Sequence, residues 1–487
     1  MEHVYDRLYL DGDWIESSGD AVITVVSAAT EEPIGQVPEA VAADVDRAVA
    51  AARRAFDDPL GWSAWEPKDR AAVMRRFAEE IEERSTDFVR RVSMQNGMPV
   101  VVGAQTEGTY PAKLLHYYAD LIELMPLEQS RRSMVSGTTL VRRAPLGVVA
   151  AVVPWNFPQS LLMFKLAPAL AAGCTLVVKP APETVLDAFL LAEAAQAAGI
   201  PAGVLNIVTG GRDLGAYLVG HRGVDKVAFT GSVAAGQAIA EQCGRLLRPV
   251  TLELGGKSAG IVLDDVDLGA AVREWYGAFL LNQGQTCYIS TRILAPESRY
   301  DEILDALGAL AGRLRIGDPL DPKTLIGPLV SQRQRGRVES YIAAGIAAGG
   351  RVVAGGGRPP HLDRGWYVQP TVFAGLDNDS VLAQEEIFGP VLTVLRYRDV
   401  DEAVRLANDS DFGLGGTVWT SDPQRGLDIA RRVRTGSFGV NGFTLDPGAP
   451  FGGVKHSGLG RELGPEGLAA YHHLQSIYFP TGPGESA

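Results

Sequence analysis

Short β-branched runs alternate with helical patterns between residues 144 and 262, and this alternation constrains the fold more than any other feature of the chain. Residues 147–153, 175–179, 204–208 and 225–230 have the apolar character and length of buried strands, and helical patterns separate most of them. Strands of this length between helices predict a doubly wound parallel α/β sheet. Ligands in such sheets bind beyond the carboxyl ends of the strands.

A second series of strands and helices begins after Asp264. Residues 288–294 and 391–397 have the pattern of strands, and residues 266–282 and 300–314 have that of helices. The chain is therefore expected to form a second α/β domain.

Two segments fit neither sheet. Residues 129–141, where apolar and polar residues alternate around Ser136-Gly137, predict a β-hairpin, and residues 474–479 predict a late strand. Neither belongs to an obvious core, so either could pair with the edge of another subunit.

The composition excludes some classes of protein. The chain has 487 residues, 46% hydrophobic and 21% charged, and its formal net charge of −13 argues against nucleic acid or an anionic membrane as a partner. The longest apolar runs are too short to span a bilayer, and the N-terminal residues lack the apolar core of a signal peptide. The three cysteines show no metal-ligand spacing. We therefore expect a reduced, cytoplasmic protein without a metal.

A cysteine and a glutamate in two glycine-containing runs are candidates for a reactive site. Cys287 ends the run QGQTC, and Glu253 lies in the run TLELGG at the end of an apolar strand. A thiol nucleophile and a carboxylate base are the parts that covalent acyl transfer or aldehyde oxidation needs. Cys174 and Cys243 fit a packing role better. Taken alone, Cys287 could also be a packing residue, and Glu253 could be a salt-bridged strand end.

Three further runs accompany these two: PWNFP at residues 154–158, FTGS at 229–232 and EEIFGP at 385–390. Together the five runs resemble the aldehyde dehydrogenase superfamily, in the order of that family, from about Leu10 to about Pro480. The resemblance implies two doubly wound parallel α/β domains and an arm, made of the hairpin and the C-terminal strand, that joins identical subunits. The dinucleotide-binding domain would comprise residues 1–124 and 145–254, the catalytic domain residues 255–457, and the arm and tail residues 125–144 and 458–487.

The resemblance also implies a mechanism. Cys287 would add to the aldehyde, Asn156 and the Cys287 amide would hold the oxyanion, and hydride transfer to NAD would leave a thioester. Glu253 would activate the water that releases the carboxylate. Lys165 would neutralise a carboxylate or support the base, although a surface lysine on a helix is the alternative for that position.

A dinucleotide site is implied beyond the strands of the first domain. The run GSVAAG at residues 231–236 opens a helix, and the N–H groups at a helix N-terminus suit a pyrophosphate. Many NAD-preferring members of the family have a glutamate where this chain has Pro182, and Glu183 comes one residue later; a carboxylate there would repel the 2′-phosphate of NADP. NAD is therefore favoured, and NADP stays possible. The predicted cofactor-binding residues are Val153, Pro154, Trp155, Asn156, Lys179, Pro182, Glu183, Gly215, Phe229, Thr230, Gly231, Ser232, Gly236, Glu253, Leu254, Gly255, Gln334, Glu386 and Phe388.

The predicted substrate pocket is apolar. It offers no evident anchor for a phosphate, a carboxylate or a quaternary ammonium group, so an aliphatic or aromatic aldehyde of medium size is expected. The residues matched to family positions in this pocket are Phe157, Met163, Phe164, Thr286, Tyr288, Asn441, Leu445 and Phe451.

Two other functions stay open at this point. Relatives that pass the thioester to coenzyme A commonly lack the glutamate at the position of Glu253, so its presence favours hydrolysis. A non-catalytic binding protein on the same scaffold would be expected to lose the nucleophile or the base, whereas this chain keeps Cys287, Glu253, Asn156 and Lys179.

Overall fold

The computed structural model describes residues 1–480 of the 487-residue chain. Within them the strands are β1 (His3–Val4), β2 (Leu8–Leu10), β3 (Asp13–Ile15), β4 (Val22–Val26), β5 (Pro33–Pro38), β6 (Glu128–Arg132), β7 (Thr138–Pro145), β8 (Val148–Val152), β9 (Thr175–Lys179), β10 (Leu205–Ile207), β11 (Lys226–Thr230), β12 (Val250–Glu253), β13 (Ser258–Val262), β14 (Ser290–Pro296), β15 (Arg351–Ala354), β16 (Thr371–Ala374), β17 (Val391–Tyr397), β18 (Gly416–Trp419), β19 (Gly439–Val440), β20 (Gly458–Leu459) and β21 (His472–Phe479). The α-helices are α1 (Ala42–Asp57), α2 (Pro67–Glu83), α3 (Ser85–Asn96), α4 (Val100–Gly103), α5 (Tyr110–Leu124), α6 (Pro158–Ala172), α7 (Leu186–Ala197), α8 (Arg212–Gly220), α9 (Val233–Arg245), α10 (Leu268–Trp275), α11 (Tyr300–Arg313), α12 (Gln332–Ala347), α13 (Val381–Gln384), α14 (Val400–Asn408), α15 (Pro423–Ala430) and α16 (Gly464–Ala469).

The first large sheet has the strand order β20-β12-β11-β8-β9-β10-β2-β3. Its central strands, from β12 to β10, run parallel, and β2, β3 and β20 are antiparallel to their neighbours. Helix α6 packs against β8, β9, α2 and α5, and all its residues are buried, which explains why it is apolar on every side. Because β8, β9, β11 and β12 end side by side, the residues at their carboxyl ends are brought to one edge of the sheet. The predicted doubly wound α/β fold is confirmed.

The second large sheet has the order β15-β16-β17-β14-β13-β18-β19, and its strands are parallel except for the pair β15 and β16. One face is covered by a cluster of fully buried aromatic side chains. Trp419 lies edge-on to Trp275 and Phe279, at centroid distances of 6.3 and 5.7 Å. Strand β14 begins three residues after Cys287, so the cysteine loop leads directly into the centre of this sheet.

A smaller sheet of order β21-β7-β6 contains the predicted hairpin and the predicted late strand. Strand β21 pairs with β7 along its whole length, from His472 opposite Pro145 to Phe479 opposite Thr138. Gly137 in the hairpin turn has φ +67°, and a Cβ there would overlap the carbonyl oxygen of Phe479. Glycine is therefore required at this turn. A further small sheet has the order β1-β5-β4.

The predicted helix over residues 266–282 is wrong in its second half. Helix α10 ends at Trp275, a π-helical turn covers Tyr276–Leu280, and Asn282 and Gln283 then adopt left-handed backbone conformations. The apolar pattern continues past the end of the helix because Ala278, Phe279 and Leu280 stay buried, so periodicity alone does not reveal the break.

The boundary of the predicted tail is also wrong. Strand β20 pairs antiparallel with β12, and α16 packs on α6, so residues 458–471 complete the first domain rather than the arm. They cover what would otherwise be an unpaired edge of the first sheet. Residues 481–487 of the predicted tail lie outside the described residues. Among residues 1–480, no helix is both long enough and apolar enough to cross a membrane.

Candidate active site

Two cavities meet at the carboxyl edge of the first sheet. One has a volume of 540 Å³ and mainly apolar walls, and the other, of 510 Å³, lies between the ends of β8, β11 and β12 and the start of α12. Cys287 and Asn156 line both cavities. A thiol in this position can react with a molecule bound in the 540 Å³ cavity, and that molecule then lies next to whatever is bound in the 510 Å³ cavity.

Close backbone packing holds Cys287 at this junction. A Cβ at Gly256 would overlap the carbonyl oxygen of Cys287, and a Cβ at Gly284, which has φ +75°, would overlap that of Gly389. Cys287 is half-buried, whereas Cys174 and Cys243 are fully buried. Burial raises the pKa of the Cys287 thiol, and the nearby carboxyl groups of Glu386 and Glu253 raise it further. The thiol therefore needs a proton acceptor before it can attack a carbonyl carbon.

Asn156 follows β8 and is 3% exposed. Its Nδ2 donates a hydrogen bond of 3.0 Å to the main-chain oxygen of Gln285, so the second amide hydrogen can donate to an oxygen in the cavity. Its own main-chain oxygen accepts hydrogen bonds from Nδ2 of Asn96, at 3.2 Å, and from Nδ2 of Asn282, at 3.0 Å. Asn156 is therefore a rigidly held donor beside Cys287.

Glu253 is the last residue of β12 and is 3% exposed. Within residues 1–480, neither of its carboxylate oxygens has a hydrogen-bond partner. Burial raises the pKa of Glu253 well above its ordinary value, and the carboxyl group of Glu462 raises it further. Gly452 leaves space beside Oε1, since a Cβ there would lie 2.6 Å from that oxygen. A buried carboxylate with a raised pKa and open acceptor sites has the properties of a general base.

Lys165 lies in α6 behind Glu253. Its Nζ is 2.8 Å from Oε1 of Glu462 and 2.6 Å from Oγ1 of Thr230, and the two charged side chains are 0% and 2% exposed. The positive charge of Lys165 lowers the pKa of Glu253. Lys165 thus forms an ion pair with a carboxylate next to the candidate base.

The 510 Å³ cavity has the position expected for a dinucleotide. Helix α9 points its N-terminus toward it, and Ser232 caps that helix by accepting a hydrogen bond from the N–H of Ala235 at 3.4 Å. The predicted cofactor residues that line the cavity are Pro154, Trp155, Asn156, Thr230, Gly231, Ser232, Leu254, Gly255, Gln334, Glu386 and Phe388. Arg333 and Arg337, which lie on the first turns of α12, also line it and were not predicted.

Glu386 and Phe388 form the wall of this cavity opposite the first sheet. Oε1 of Glu386 accepts a hydrogen bond of 2.9 Å from the N–H of Gly256, and burial raises the pKa of Glu386 to about 7. Phe388 has φ +61° and meets Trp155 edge-on at 5.3 Å. Its carbonyl oxygen accepts a hydrogen bond of 2.9 Å from Nε2 of Gln334. Hydrogen bonds thus hold the segment 386–388 at both ends, to Gly256 at Glu386 and to Gln334 at Phe388.

Lys179 and Glu183 do not line the 510 Å³ cavity. Nζ of Lys179 donates to the carbonyl oxygens of Pro180, at 2.7 Å, and of Gly210, at 2.9 Å, and burial lowers its pKa to about 8. Glu183 forms an exposed ion pair of 3.4 Å with Arg333.

The other predicted cofactor residues lie around the cavity rather than in its wall. Gly215 faces the Lys179 side chain, Gly236 faces the side chain of Leu254, and the ring of Phe229 covers Gly231. The remaining ones are Val153, Pro182 and Glu253, which also lie outside the wall.

Aromatic rings surround much of the 540 Å³ cavity. Tyr288 stacks on Phe443 at 4.6 Å and meets Phe451 edge-on at 6.3 Å, and Phe451 in turn meets Phe164 edge-on at 6.3 Å. Among the described residues, no charged side chain lines this cavity. The predicted pocket residues in its wall are Phe157, Phe164, Thr286, Tyr288, Leu445 and Phe451.

Two predicted pocket residues do not line the cavity. Met163 is fully buried on a face of α6 that packs into the core of the first domain. Asn441 has φ +56° and exchanges two hydrogen bonds of 2.8 Å with the backbone of Thr420, so its amide joins the ends of β18 and β19 instead. The prediction for these two positions is wrong, because a match in sequence position does not specify which way a side chain points.

These observations agree with comparisons with known proteins. The model of the aldehyde dehydrogenase family matches residues 14–477. The chain belongs to this family. It is an oxidoreductase that acts on aldehydes.

Individual members of the aldehyde dehydrogenase family are also similar to the chain. Geranial dehydrogenase from Castellaniella defragrans is 53% identical over 474 residues, which cover 97% of this chain and 98% of that protein. A crystal structure of Mycobacterium tuberculosis aldehyde dehydrogenase complexed with NAD⁺ has a TM-score of 0.97 at 45% identity and covers 100% of both chains. A mutant of aldehyde dehydrogenase C from Pseudomonas syringae, complexed with NAD⁺ and octanal, has a TM-score of 0.93 at 38% identity, and the match covers 97% of this chain and 96% of that one.

Several residues of this aldehyde dehydrogenase site carry no sequence signal. Glu462 lies outside every recognised run and reaches Lys165 through tertiary packing alone. Ser160 and Leu161 could have been found, since they are three and four residues after Phe157 on one helix face. The other unpredicted wall residues are Val101, Val102, Gln105, Thr106, Tyr110, Tyr276, Gly277, Leu281, Phe443 and Thr444, which come from three distant segments.

Replacing Lys165 by methionine is expected to shift the pH dependence of turnover. Glu253 acts as a base only when deprotonated, so turnover rises as the pH increases through its pKa. Because Lys165 lowers that pKa, its removal should move the rise to higher pH. It should also cost about 3–5 kcal/mol of unfolding free energy, since buried Glu462 loses its partner. The measurements are kcat as a function of pH and denaturant unfolding.

Lys226→Met is the matched control for this change. Lys226 is also a buried lysine, but its Nζ donates to Oγ1 of Thr251 at 2.8 Å, and the charged groups that shift the pKa of Glu253 are Glu462, Lys165 and Arg461. This variant should lose stability without moving the pH profile. An unchanged profile in Lys165→Met would show that Lys165 does not tune the base.

Proposed function

We propose that the chain oxidises an apolar aldehyde of medium size to its carboxylate with NAD as the oxidant. The single observation that carries this proposal is the position of Cys287, which borders both an uncharged 540 Å³ cavity and a 510 Å³ cavity at a helix N-terminus. The first cavity suits an apolar substrate and the second suits a dinucleotide.

In the proposed reaction, Sγ of Cys287 forms a bond to the carbonyl carbon after its proton has left for a base. The free amide hydrogen of Asn156 and the main-chain N–H of Cys287 stabilise the negative charge on the oxygen. Bound NAD supplies the hydride acceptor. Glu253 then removes a proton from water, the water oxygen attacks the thioester carbon, and cleavage of the C–S bond releases the carboxylate and the thiol.

Residues on both sides of the 510 Å³ cavity fit a bound dinucleotide. The N-terminus of α9 with Gly231 and Ser232 would hold the pyrophosphate. Glu386 offers a carboxylate to ribose hydroxyls, and the edge-on pair of Trp155 and Phe388 offers apolar surface to a nicotinamide ring. A Cβ at Gly255 would overlap the Glu386 carboxylate, so only glycine allows this carboxylate to pack against the backbone there.

NAD rather than NADP is the proposed oxidant. The complexes of the M. tuberculosis and P. syringae relatives contain NAD⁺. Glu183 follows β9 and is paired with Arg333 at 3.4 Å, so the preference for NAD is proposed from the relatives rather than from the charge of Glu183. The ratio of kcat/KM for NAD to that for NADP measures this preference, and a ratio below one would contradict it.

The proposed substrate class rests on the cavity wall and on relatives. Geranial and octanal, the aldehydes in the names of two relatives, are both apolar. A wall without charged side chains cannot compensate the desolvation of a charged substrate. Aldehydes with a carboxylate or a sulfonate are therefore poor candidates.

A panel of aldehydes tests the proposed function. Between propanal and octanal, kcat/KM should rise about fourfold per methylene group, because each buried CH₂ contributes about 0.8 kcal/mol. Geranial should rank with the longest of them. Succinic semialdehyde, of comparable length to pentanal, serves as the charged control and should be much slower. A rate independent of chain length, or a preference for the semialdehyde, would contradict the proposal.

The chain is also proposed to form a homo-oligomer in the cytoplasm. Strand β6 is exposed along its length and forms one edge of the arm sheet, and Met134 and Val135 at the hairpin tip are almost fully exposed. Such an edge favours pairing with another copy. The free thiols of the three cysteines support a reducing compartment. Light scattering of the intact protein would measure the copy number, and a monomer would contradict this assembly.

A further inference from the structure

The contacts of Asn156 tie it to the cysteine loop at two points. Its side-chain Nδ2 donates to the main-chain oxygen of Gln285, and its main-chain oxygen accepts from Nδ2 of Asn282. Asn282 and Gln285 both lie in the five residues that precede Cys287. Asn96 adds a third contact, since its Nδ2 donates to the main-chain oxygens of Trp155 and Asn156. Asn96, Asn156 and Asn282 are all buried, so water does not compete for these bonds.

The backbone of the same loop is held in an unusual conformation. Asn282 has φ 52° and ψ 46°, and Gln283 has φ 54° and ψ 32°. Two consecutive left-handed residues other than glycine are uncommon, and they persist where the surroundings determine them. Asparagine tolerates this region better than most residues, and glycine tolerates it better still. If only the left-handed backbone conformation mattered at position 282, glycine would meet the requirement. Asn282 in addition donates a hydrogen bond from its side-chain amide.

Asn282 and Gln283 differ in what their side chains hold. Nε2 of Gln283 donates to the main-chain oxygens of Gly97, at 3.0 Å, and Pro328, at 3.1 Å, which fastens the loop to the scaffold. The side-chain amide of Asn282 instead donates to the main-chain oxygen of Asn156, whose own side-chain amide is the proposed oxyanion donor. Nε2 of Gln283 also donates to Oδ1 of Asn282 at 3.3 Å, so Gln283 contacts the Asn282 amide, but of these two residues only Asn282 reaches Asn156.

We propose that Asn282 is a positioning residue that sets Asn156 against the cysteine loop, so that the amide hydrogen of Asn156 and the N–H of Cys287 converge on one carbonyl oxygen. This inference rests on the oxyanion role of Asn156 in the proposed function. Asn282 does not line either cavity, so it acts through Asn156. Donors stabilise an oxyanion when they are arranged before the reaction, and small displacements of them reduce the rate strongly.

The test compares Asn282→Gly, Gln283→Gly, Asn156→Ala and the double variant Asn282→Gly/Asn156→Ala in the intact enzyme. Single-turnover NADH formation should fall about 10- to 100-fold in Asn282→Gly, with little change in the aldehyde concentration for half-saturation. Gln283→Gly loses three hydrogen bonds from an equally left-handed position, one of them to Oδ1 of Asn282, but keeps the bond from Nδ2 of Asn282 to Asn156, so its rate should stay within about threefold of the parent. The double variant should be no slower than Asn156→Ala, because the alignment of residue 156 no longer affects the rate once its side-chain amide is absent.

Alkylation of Cys287 by iodoacetamide supplies a second readout. This reaction forms no oxyanion, so its rate in Asn282→Gly should stay within about twofold of the parent if the loop keeps its shape. A parallel loss of alkylation and turnover would show general disruption of the loop and overturn the proposal. Equal rate factors in the parent and Asn156→Ala backgrounds would overturn it as well, as would parent-like turnover in Asn282→Gly. Should Asn282→Gly fail to fold, Asn282→Asp removes the same donor at nearly constant shape, and the same expectations apply.

The result for Asn156→Ala separates this proposal from the function on which it rests. Full activity in Asn156→Ala would overturn the oxyanion role itself. Reduced activity in Asn156→Ala, with additive effects of Asn282→Gly, would keep the oxyanion role and reject Asn282 as its positioning residue.

Discussion

Cys287→Ala is expected to abolish aldehyde-dependent NADH formation, to below about 10⁻⁴ of the parent rate, because removing a covalent nucleophile leaves no alternative route through the thioester. The half-buried side chain loses a single sulfur atom, so folding and cofactor binding should be preserved. The measurement is absorbance of NADH after mixing with NAD and octanal, together with the thermal midpoint of unfolding.

Cys243→Ala is the matched control, since Cys243 is fully buried and remote from both cavities. It should lose some stability and keep its turnover. Parent-like NADH formation in Cys287→Ala would refute the covalent mechanism, and loss of activity in both variants would point to a folding defect.

Glu253→Gln is expected to separate the two halves of the reaction. The amide cannot take a proton from water, so steady-state turnover should fall by about 10²–10⁴. Hydride transfer should still occur once per site, which gives a burst of NADH equal to the number of active sites. The trapped thioester should add the mass of the acyl group to the peptide that contains Cys287. Stopped-flow absorbance and mass spectrometry of the quenched enzyme measure these quantities.

Assays of the parent enzyme with and without coenzyme A distinguish hydrolysis from transfer to coenzyme A. If the parent enzyme releases carboxylate without coenzyme A, and added coenzyme A does not accelerate it, hydrolysis is the reaction. A steady-state rate in Glu253→Gln close to that of the parent would show that another group activates water. A variant without a burst would instead assign Glu253 to the attack by Cys287, whose pKa is raised by this carboxylate among other groups.

The elements that periodicity predicted correctly are those whose pattern is local. Strands β9 and β17 have the predicted bounds, and helix α11 ends one residue before its predicted end, because each is a single apolar or amphipathic run with a clear beginning and end. The break after α10 was missed because residues 278–280 and 282–284 are buried in a different backbone conformation. The pairing of β20 with β12 was missed because a strand of two residues has no pattern of its own.

The sequence alone determined the order of the strands and helices and the residues that end the central strands, and the family runs supplied the roles proposed for Cys287, Glu253 and Asn156. These are local properties, since a strand end or a glycine turn is specified by neighbours in the chain. Only the tertiary structure decided that Glu462 joins Lys165 beside the base, that Asn282 reaches Asn156, and that Met163 points away from the cavity. Such contacts join segments up to about 300 residues apart, and they depend on how buried surfaces pack, which no local pattern encodes.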